Sequence, residues 1–197
     1  MTRQGTAAPT VIKVGGGLSA DHRALEAVGA ALALAGRRHR LVVVPGGGPF
    51  ADAVRDFARR EPVSEDAAHW MAILAMDQYA QVLAERIPGA VLVDEPDAIG
   101  AAVGIAGVAV LAPFRWLRRT DTLPHRWDVT SDSIAAVVAG ALGAARLVLV
   151  KPAGAGAAPA GEVVDPYFES ALPTDLPWTV LDWDRIGELG RLLDGEP

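Results

Sequence analysis

"VIKVGGGL", residues 11–18, decides how this chain is read. β-Branched residues surround Lys13, the pattern of a strand buried on both faces in a parallel sheet, and three glycines follow at once. An ammonium in such a strand is costly unless an anion meets it. The bland alternative is a strand-end lysine whose long stem carries its charge out to water. The glycines favour the anion. Without Cβ atoms, backbone N–H groups approach phosphate oxygens closely, and a following helix adds the positive end of its dipole. The same punctuation recurs in "RLVVVPGGGPFADAVRDFARR" (residues 40–60), where Gly46, Gly47 and Gly48 stand between a strand and a helix. In an open parallel sheet both loops emerge at the carboxyl edge, where ligands bind. Neither loop ends in the GK[ST] of a P-loop, and neither matches GxGxxG with its acidic partner.

Outward from these loops, strand and helix alternate. Residues 10–14 read as a strand, 21–35 as a helix with Ser19 or Asp21 near its start, and 40–44 as the second strand. A glycine turn and helix fill 45–60, with Pro49 suited to the first helical turn. Ser64 caps a long helix to about Arg86, and Glu65 and Asp66 favour its amino end. Further strands are expected over 90–93, 108–111, 146–150 and 178–183, with helices over 132–142 and 184–193. Such units predict helices on both faces of a mainly parallel sheet. The stretch "PAGAGAAPAG" (residues 152–161) is low in complexity and reads as a loop.

Composition narrows the classes. The 197 residues are 51% hydrophobic and 21% charged, which is a globular balance. A net charge of −6 with no basic run argues against a nucleic-acid partner, while leaving room for a small anion held locally. The absence of cysteine excludes disulfides and thiolate metal sites, and the histidines show no metal-ligand spacing. The opening ten residues lack the apolar core of a signal peptide, and no run reaches the length of a membrane helix, so a cytoplasmic protein without membrane contact is expected. Of the 18 basic residues only Lys13 and Lys151 are lysines, and both end apolar runs before glycine-rich loops. That placement points to positions where a compact ammonium is wanted rather than a guanidinium fork.

The order "VIKVGGG", "VVVPGGGPFADAVR" and "WDVTSDSIAA" resembles the amino acid kinase superfamily, which includes acetylglutamate, aspartate, uridylate and isopentenyl phosphate kinases. Residues 67–85 and 111–133 look most like its methanofuran-pathway branch, whose enzyme is an ATP-dependent kinase of [5-(aminomethyl)furan-3-yl]methyl phosphate. The resemblance implies a three-layer αβα sandwich, one domain over residues 1–197 with a shortened nucleotide-binding part over about 146–197. It implies in-line transfer of the γ-phosphoryl of ATP, with Mg²⁺, to a small-molecule phosphate monoester, in a homo-oligomer. Lys13 would meet the transferring phosphoryl, Gly15, Gly16, Gly17 and Ser131 would bind the nucleotide phosphates, and Asp132 would orient the catalytic lysines. Gly46, Gly47, Gly48, Asp77, Thr130, His69 and Arg115 would hold the acceptor, with no metal-ligating side chain in the set.

Each assignment has a plainer counterpart. Ser131 and Asp132 also suit the start of a helix, Asp77 a solvated helix face, and Arg115, Arg118 and Arg119 a solvated basic face. His69 and His125 suit ordinary packing. The helix over 67–86 carries more apolar side chains than one core face needs, which is compatible with an oligomer. The sequence departs from the family where a "TDVDG"-like stretch is usual after the strand at 146–150: here it reads "VKPAGAGAAPAG", and the usual second catalytic lysine downstream is missing. Lys151 is the candidate to supply that charge. Two other readings stand beside the leading one: a kinase of another acceptor (a nucleoside monophosphate, isopentenyl phosphate or an amino acid), and a non-catalytic oxyanion- or nucleotide-binding oligomer of the same fold.

Overall fold

Residues 8–195 are described by the structure, a computed structural model. In chain order the elements are β1 (Thr10–Val14), α1 (His22–Ala35), β2 (Leu41–Pro45), α2 (Gly48–Arg60), α3 (Glu65–Arg86), β3 (Val91–Val93), α4 (Pro96–Ala106), β4 (Val108–Leu111) and α5 (Phe114–Thr120). There follow α6 (Ser131–Ala141), β5 (Arg146–Lys151), α7 (Ala160–Val163), α8 (Phe168–Ala171), β6 (Trp178–Asp182) and α9 (Leu189–Asp194). The strands form one parallel sheet in the order β3-β4-β2-β1-β5-β6. β1 and its neighbours are covered on both faces, which is why they read as unbroken apolar runs rather than as alternation. This is the three-layer arrangement that the strand–helix alternation predicts.

Successive side chains of a strand point to opposite faces, and that alternation sorts the core into two layers. Val11, Val42, Val44, Leu147 and Leu149 pack with α6, while Ile12, Val14, Val43, Val148 and Val150 pack with α1. Lys13 therefore projects on the α6 side. It sits in register with Val44 of β2 and Leu149 of β5, at the carboxyl edge where both glycine loops leave the sheet. The long helix α3 serves both layers: Trp70, Ile73 and Met76 enter one, Tyr79, Ala80 and Leu83 the other. Its surplus of apolar residues is thus largely used within the chain, with Leu74 left exposed.

Four helices were not expected: α4, α5 and the single-turn α7 and α8. α4 is apolar nearly all round and interrupted by Gly100 and Gly104, so it shows no amphipathic period; its signs are Pro96 in the first turn and Gly107 in the left-handed region (φ 73°) just past its end. α5 is only seven residues long. At the carboxyl end the expected helix over 184–193 begins only at Leu189, because residues 183–188 wind as a 3₁₀ turn. Gly187 and Gly190 weaken a continuous α-helix there. Among the described residues no helix is long and apolar enough to cross a membrane.

One close approach fixes α1 against α3. A Cβ on Gly29 would lie 2.2 Å from the carbonyl oxygen of Arg86, whereas one on Gly100 in α4 would meet nothing within 4 Å. Gly to Ala inside a helix normally stabilises by about 1 kcal/mol. Gly100→Ala should therefore stabilise by roughly that amount in urea unfolding, while Gly29→Ala should destabilise by about 1–3 kcal/mol through overpacking. Equal shifts for the two variants would contradict this packing.

Candidate active site

The anion that meets Lys13 is first of all internal. Asp132, in the first turn of α6, places Oδ1 2.8 Å from the Lys13 ammonium, and its Oδ2 accepts a 2.6 Å hydrogen bond from Lys151. Lys13 comes from β1, Lys151 from the end of the adjacent β5, and all three groups are nearly out of water. Burial alone would raise the Asp132 pKa, but the two ammonium groups outweigh it and hold the carboxyl below its ordinary range. Burial, and then the charge of Lys13, lower the pKa of Lys151, with Asp132 pulling the other way. Lys151 also donates to the Val163 carbonyl at 2.8 Å. Two cations meet one carboxylate directly, the more distant charge of Asp165 also acts on Lys151, and the Lys13 ammonium keeps donors for a further anion.

Asp165, which sequence reasoning did not single out, fixes the α6 terminus that carries Asp132. Its Oδ2 accepts from the Thr130 amide (3.0 Å), the Thr130 hydroxyl (2.7 Å) and the Ser133 amide (3.0 Å), and its Oδ1 from the Ser133 hydroxyl and the Tyr167 amide (3.1 Å). No spacing in the sequence joins residue 165 to residues 130–133; the link is purely tertiary. The Ser131 amide and hydroxyl are left without a partner among the described residues.

The two glycine loops touch backbone to backbone. A Cβ on Gly16 would lie 2.4 Å from the Gly48 nitrogen, and one on Gly46 would lie 2.4 Å from the Gly16 nitrogen, so only glycine permits the contact. The amides divide into two kinds. Gly15 donates to Val150 (2.9 Å) and Gly46 to Val14 (2.8 Å), which extends the sheet ladder. The amides of Gly15, expected on the nucleotide, and of Gly46, expected on the acceptor, are thus committed to the sheet rather than offered to a ligand. The amides of Gly16, Gly17, Gly47 and Gly48 have no such partner among the described residues. Gly15 still matters for space, since a Cβ there would sit 3.0 Å from the Val150 carbonyl oxygen and 3.7 Å from the Lys13 ammonium.

Beside the second loop lies a small cleft, open to solvent and bordered by Gly47, Arg55, His69, Trp127, Thr130 and Ser131. Its remaining wall is apolar, with Ile73, Met76 and Ile134. The structure brings the expected acceptor residues Gly47, His69 and Thr130 together here, joins to them Ser131, which was expected on the nucleotide phosphates, and adds Arg55 and Trp127. Of the other expected acceptor residues, Gly46 and Gly48 flank Gly47 outside the lining, and Asp77 and Arg115 stand apart from it. Asp77 accepts a 3.0 Å hydrogen bond from the Phe114 amide, and burial raises its pKa against that bond. Arg115 pairs with Asp94 at 3.2 Å and Glu95 at 2.8 Å on an exposed surface. Their carboxylate partners, absent from any local motif, draw it away.

His69 stacks on His125 with ring centroids 4.2 Å apart, and His125 contacts Asp66 at 2.6 Å and Asp121 at 2.7 Å. Burial, then the neighbouring His125, push the His69 pKa down to about 4, against the nearby carboxylates. The cleft wall there is neutral at ordinary pH. An unfolded chain takes up this proton below about pH 6.5, whereas the folded chain resists until about pH 4, so stability falls as pH drops through that window. The His69 ring resonances should titrate near pH 4, and the wild-type Tm should fall more steeply than that of His69→Gln between those limits. Parallel Tm profiles would contradict the burial of a neutral imidazole.

Comparison with known proteins agrees with this geometry. Residues 8–153 match the sequence profile of the amino acid kinase family. The chain is similar to [5-(aminomethyl)furan-3-yl]methyl phosphate kinase of Methanocaldococcus jannaschii, 32% identical over 124 residues, or 63% of this chain and 56% of that protein. The chain therefore spans little more than half the length of that curated relative. Its fold is that of the uridylate kinase from Archaeoglobus fulgidus (TM-score 0.70, 15% identity, 95% of this chain and 96% of that one). It is equally that of the UMP kinase from Ureaplasma parvum (TM-score 0.69, 14% identity, 98% and 97%). With both glycine loops, β1 and the α6 terminus inside the matched segment, the chain belongs to the amino acid kinase family.

Proposed function

We propose that this chain is a phosphotransferase that uses MgATP to convert a phosphate monoester to its diphosphate, with [5-(aminomethyl)furan-3-yl]methyl phosphate as acceptor in methanofuran-type cofactor biosynthesis. The observation that carries the reading is the convergence of Lys13 and Lys151 on Asp132, beside two glycine loops in backbone contact. The named relative supports the acceptor. Asp77, expected to meet the acceptor's aminomethyl cation, follows the cleft-lining Met76 on α3 but holds the Phe114 amide outside the lining. A cytoplasmic homo-oligomer with a shortened nucleotide part belongs to the same reading.

Phosphoryl transfer asks a protein for position and charge more than for covalent work. Gly16 and Gly17 offer amides on the nucleotide side, Gly47, Gly48 and Ser131 on the acceptor side. Contact between the loops sets the two phosphates side by side, as an in-line step requires. Lys13 and Lys151 meet the charge that develops on the equatorial oxygens, and Asp132 keeps both ammonium groups aimed there. The glycine cradle and the two ammonium groups suit the polyphosphate of ATP. Mg²⁺ would be carried chiefly by the nucleotide, since Asp132 and Asp165 are already engaged; its chemistry is to neutralise phosphate charge.

One observation favours a second reading, a phosphate- or oxyanion-binding oligomer without turnover. In the loop after β5, Gly154 and Gly156 donate their amides to Asp182 at 3.0 and 2.7 Å, so these amides are occupied by the protein's own carboxylate. Calorimetry with ATP separates the two readings: Mg²⁺-dependent binding belongs to the kinase, and its absence to the binder.

The direct test is ADP formation with ATP, Mg²⁺ and the aminomethylfuran phosphate, UMP or isopentenyl phosphate as acceptor. Turnover of the furan phosphate above the others is expected; turnover of none would overturn the proposal. Lys13→Met and Lys151→Met should each lower kcat by about 100- to 1000-fold in folded protein, as removal of a preorganised donor typically does. Lys151→Arg should rescue poorly, because a planar guanidinium does not replace a compact ammonium. Near-normal kcat in Lys151→Met would show that Lys151 only ends a strand.

A further inference from the structure

A phosphate monoester brings a dianion into the cleft beside the second glycine loop, and the chain must match it. This argument rests on the kinase reading above. Arg115, the arginine expected to do so, and its neighbours Arg118 and Arg119 do not line this cleft. Arg115 and Arg119 share Glu95, Arg118 lies 4.4 Å over the Trp70 ring, and Arg126 pairs with Asp128 at 3.1 Å. Arg55, which sequence reasoning passed over, borders the cleft itself. It lies about two turns into α2, the helix that opens at Gly48, and its guanidinium sits 5.5 Å from the centre of the Trp127 ring on the loop before α6.

From this geometry we infer that Arg55 is the acceptor-phosphate ligand, held over Trp127, and that the cleft selects a dianionic phosphate monoester of a small, flat, mostly apolar group. The only ion pair holding Arg55 among the described residues is with Asp52 at 2.8 Å, and these side chains are 46% and 70% exposed. Exposed pairs of this kind are weak, so a doubly charged phosphate displaces the carboxylate readily. The guanidinium fork gives a phosphate two parallel hydrogen bonds, and the unpartnered Ser131 and Gly47 amides lie on the same cleft. Trp127 is 41% exposed, an uncommon cost for so large an apolar group, and the exposed ring gives the guanidinium a face to rest on. Beyond the phosphate the wall offers Ile73, Met76 and a neutral His69, which suits a ring and offers no charge to a second anionic group.

Steady-state kinetics of wild type, Arg55→Ala and Arg55→Lys test this, with the acceptor and ATP varied separately. A hydrogen-bonded charge of this kind corresponds to an acceptor KM raised about 10- to 100-fold. Arg55→Ala should show that rise with the KM for ATP within about twofold, Arg55→Lys should recover only part of it, and the Tm of both should match wild type because the site lies on an exposed helix face. Calorimetry of the acceptor without nucleotide should show the same loss of affinity. An unchanged acceptor KM, or an equal rise for ATP, would overturn the assignment of Arg55 while leaving the kinase reading intact. A wild type that neither binds nor phosphorylates any of the three phosphomonoesters would overturn the kinase reading and this inference together.

Discussion

One carboxylate between two ammonium groups sets the terms for the rest of the molecule. Burying a charge is expensive, and a buried cluster survives only if its members are matched and held in place. Asp132 matches both Lys13 and Lys151, Asp165 adds a more distant negative charge, and the Lys13 ammonium still has donors to give. Much of the surrounding architecture serves to keep it assembled. β1 and β5 are neighbours in register, which brings the two lysines to the same sheet edge. Asp165 ties down the α6 terminus from the opposite side, and Val163 holds Lys151 through its carbonyl. A protein that needed only stability would do as well with apolar residues at these three positions. The remaining ammonium donors make sense as a place for an anion.

The second constraint is steric. The loops after β1 and β2 approach so closely that the backbone atoms of one occupy the space a Cβ of the other would need. The contact brings together two sets of amides without partners, one beside the lysines and one beside the cleft. A site that joins two phosphates must overcome their mutual repulsion, and amides, lysines and a helix terminus converging from both sides do so without rearrangement. The fold thus supplies proximity and the side chains supply charge.

Much of this was legible in the sequence because it rests on local pattern. Apolar strands ending in glycine triplets, a Thr-Ser-Asp-Ser helix start and two isolated lysines mark the sheet, its active edge and the cluster. What was hidden depends on contacts distant in the chain. Asp165 caps α6 across more than thirty residues, Arg115 is drawn off by Asp94 and Glu95, and Arg55 gains its meaning only from Trp127. α4 was missed because its exposed positions are mostly alanine and glycine, which leaves no polar face to read, and the Gly15 and Gly46 amides were misjudged because ladder bonds appear only when the strands are placed side by side.

The account depends most directly on Asp132. Its carboxylate should be what keeps Lys13 and Lys151 aimed at one point, so Asp132→Asn, which keeps the shape and removes the charge, isolates that role. The decisive measurement is kcat of this variant with ATP and the phosphomonoester acceptor both saturating, in protein that still melts cooperatively. A fall of about 100-fold or more is the expected result, in the range for loss of a preorganised catalytic element. A folded Asp132→Asn protein with near-normal kcat would contradict the account, because two lysines would then be working without the anion that holds them together.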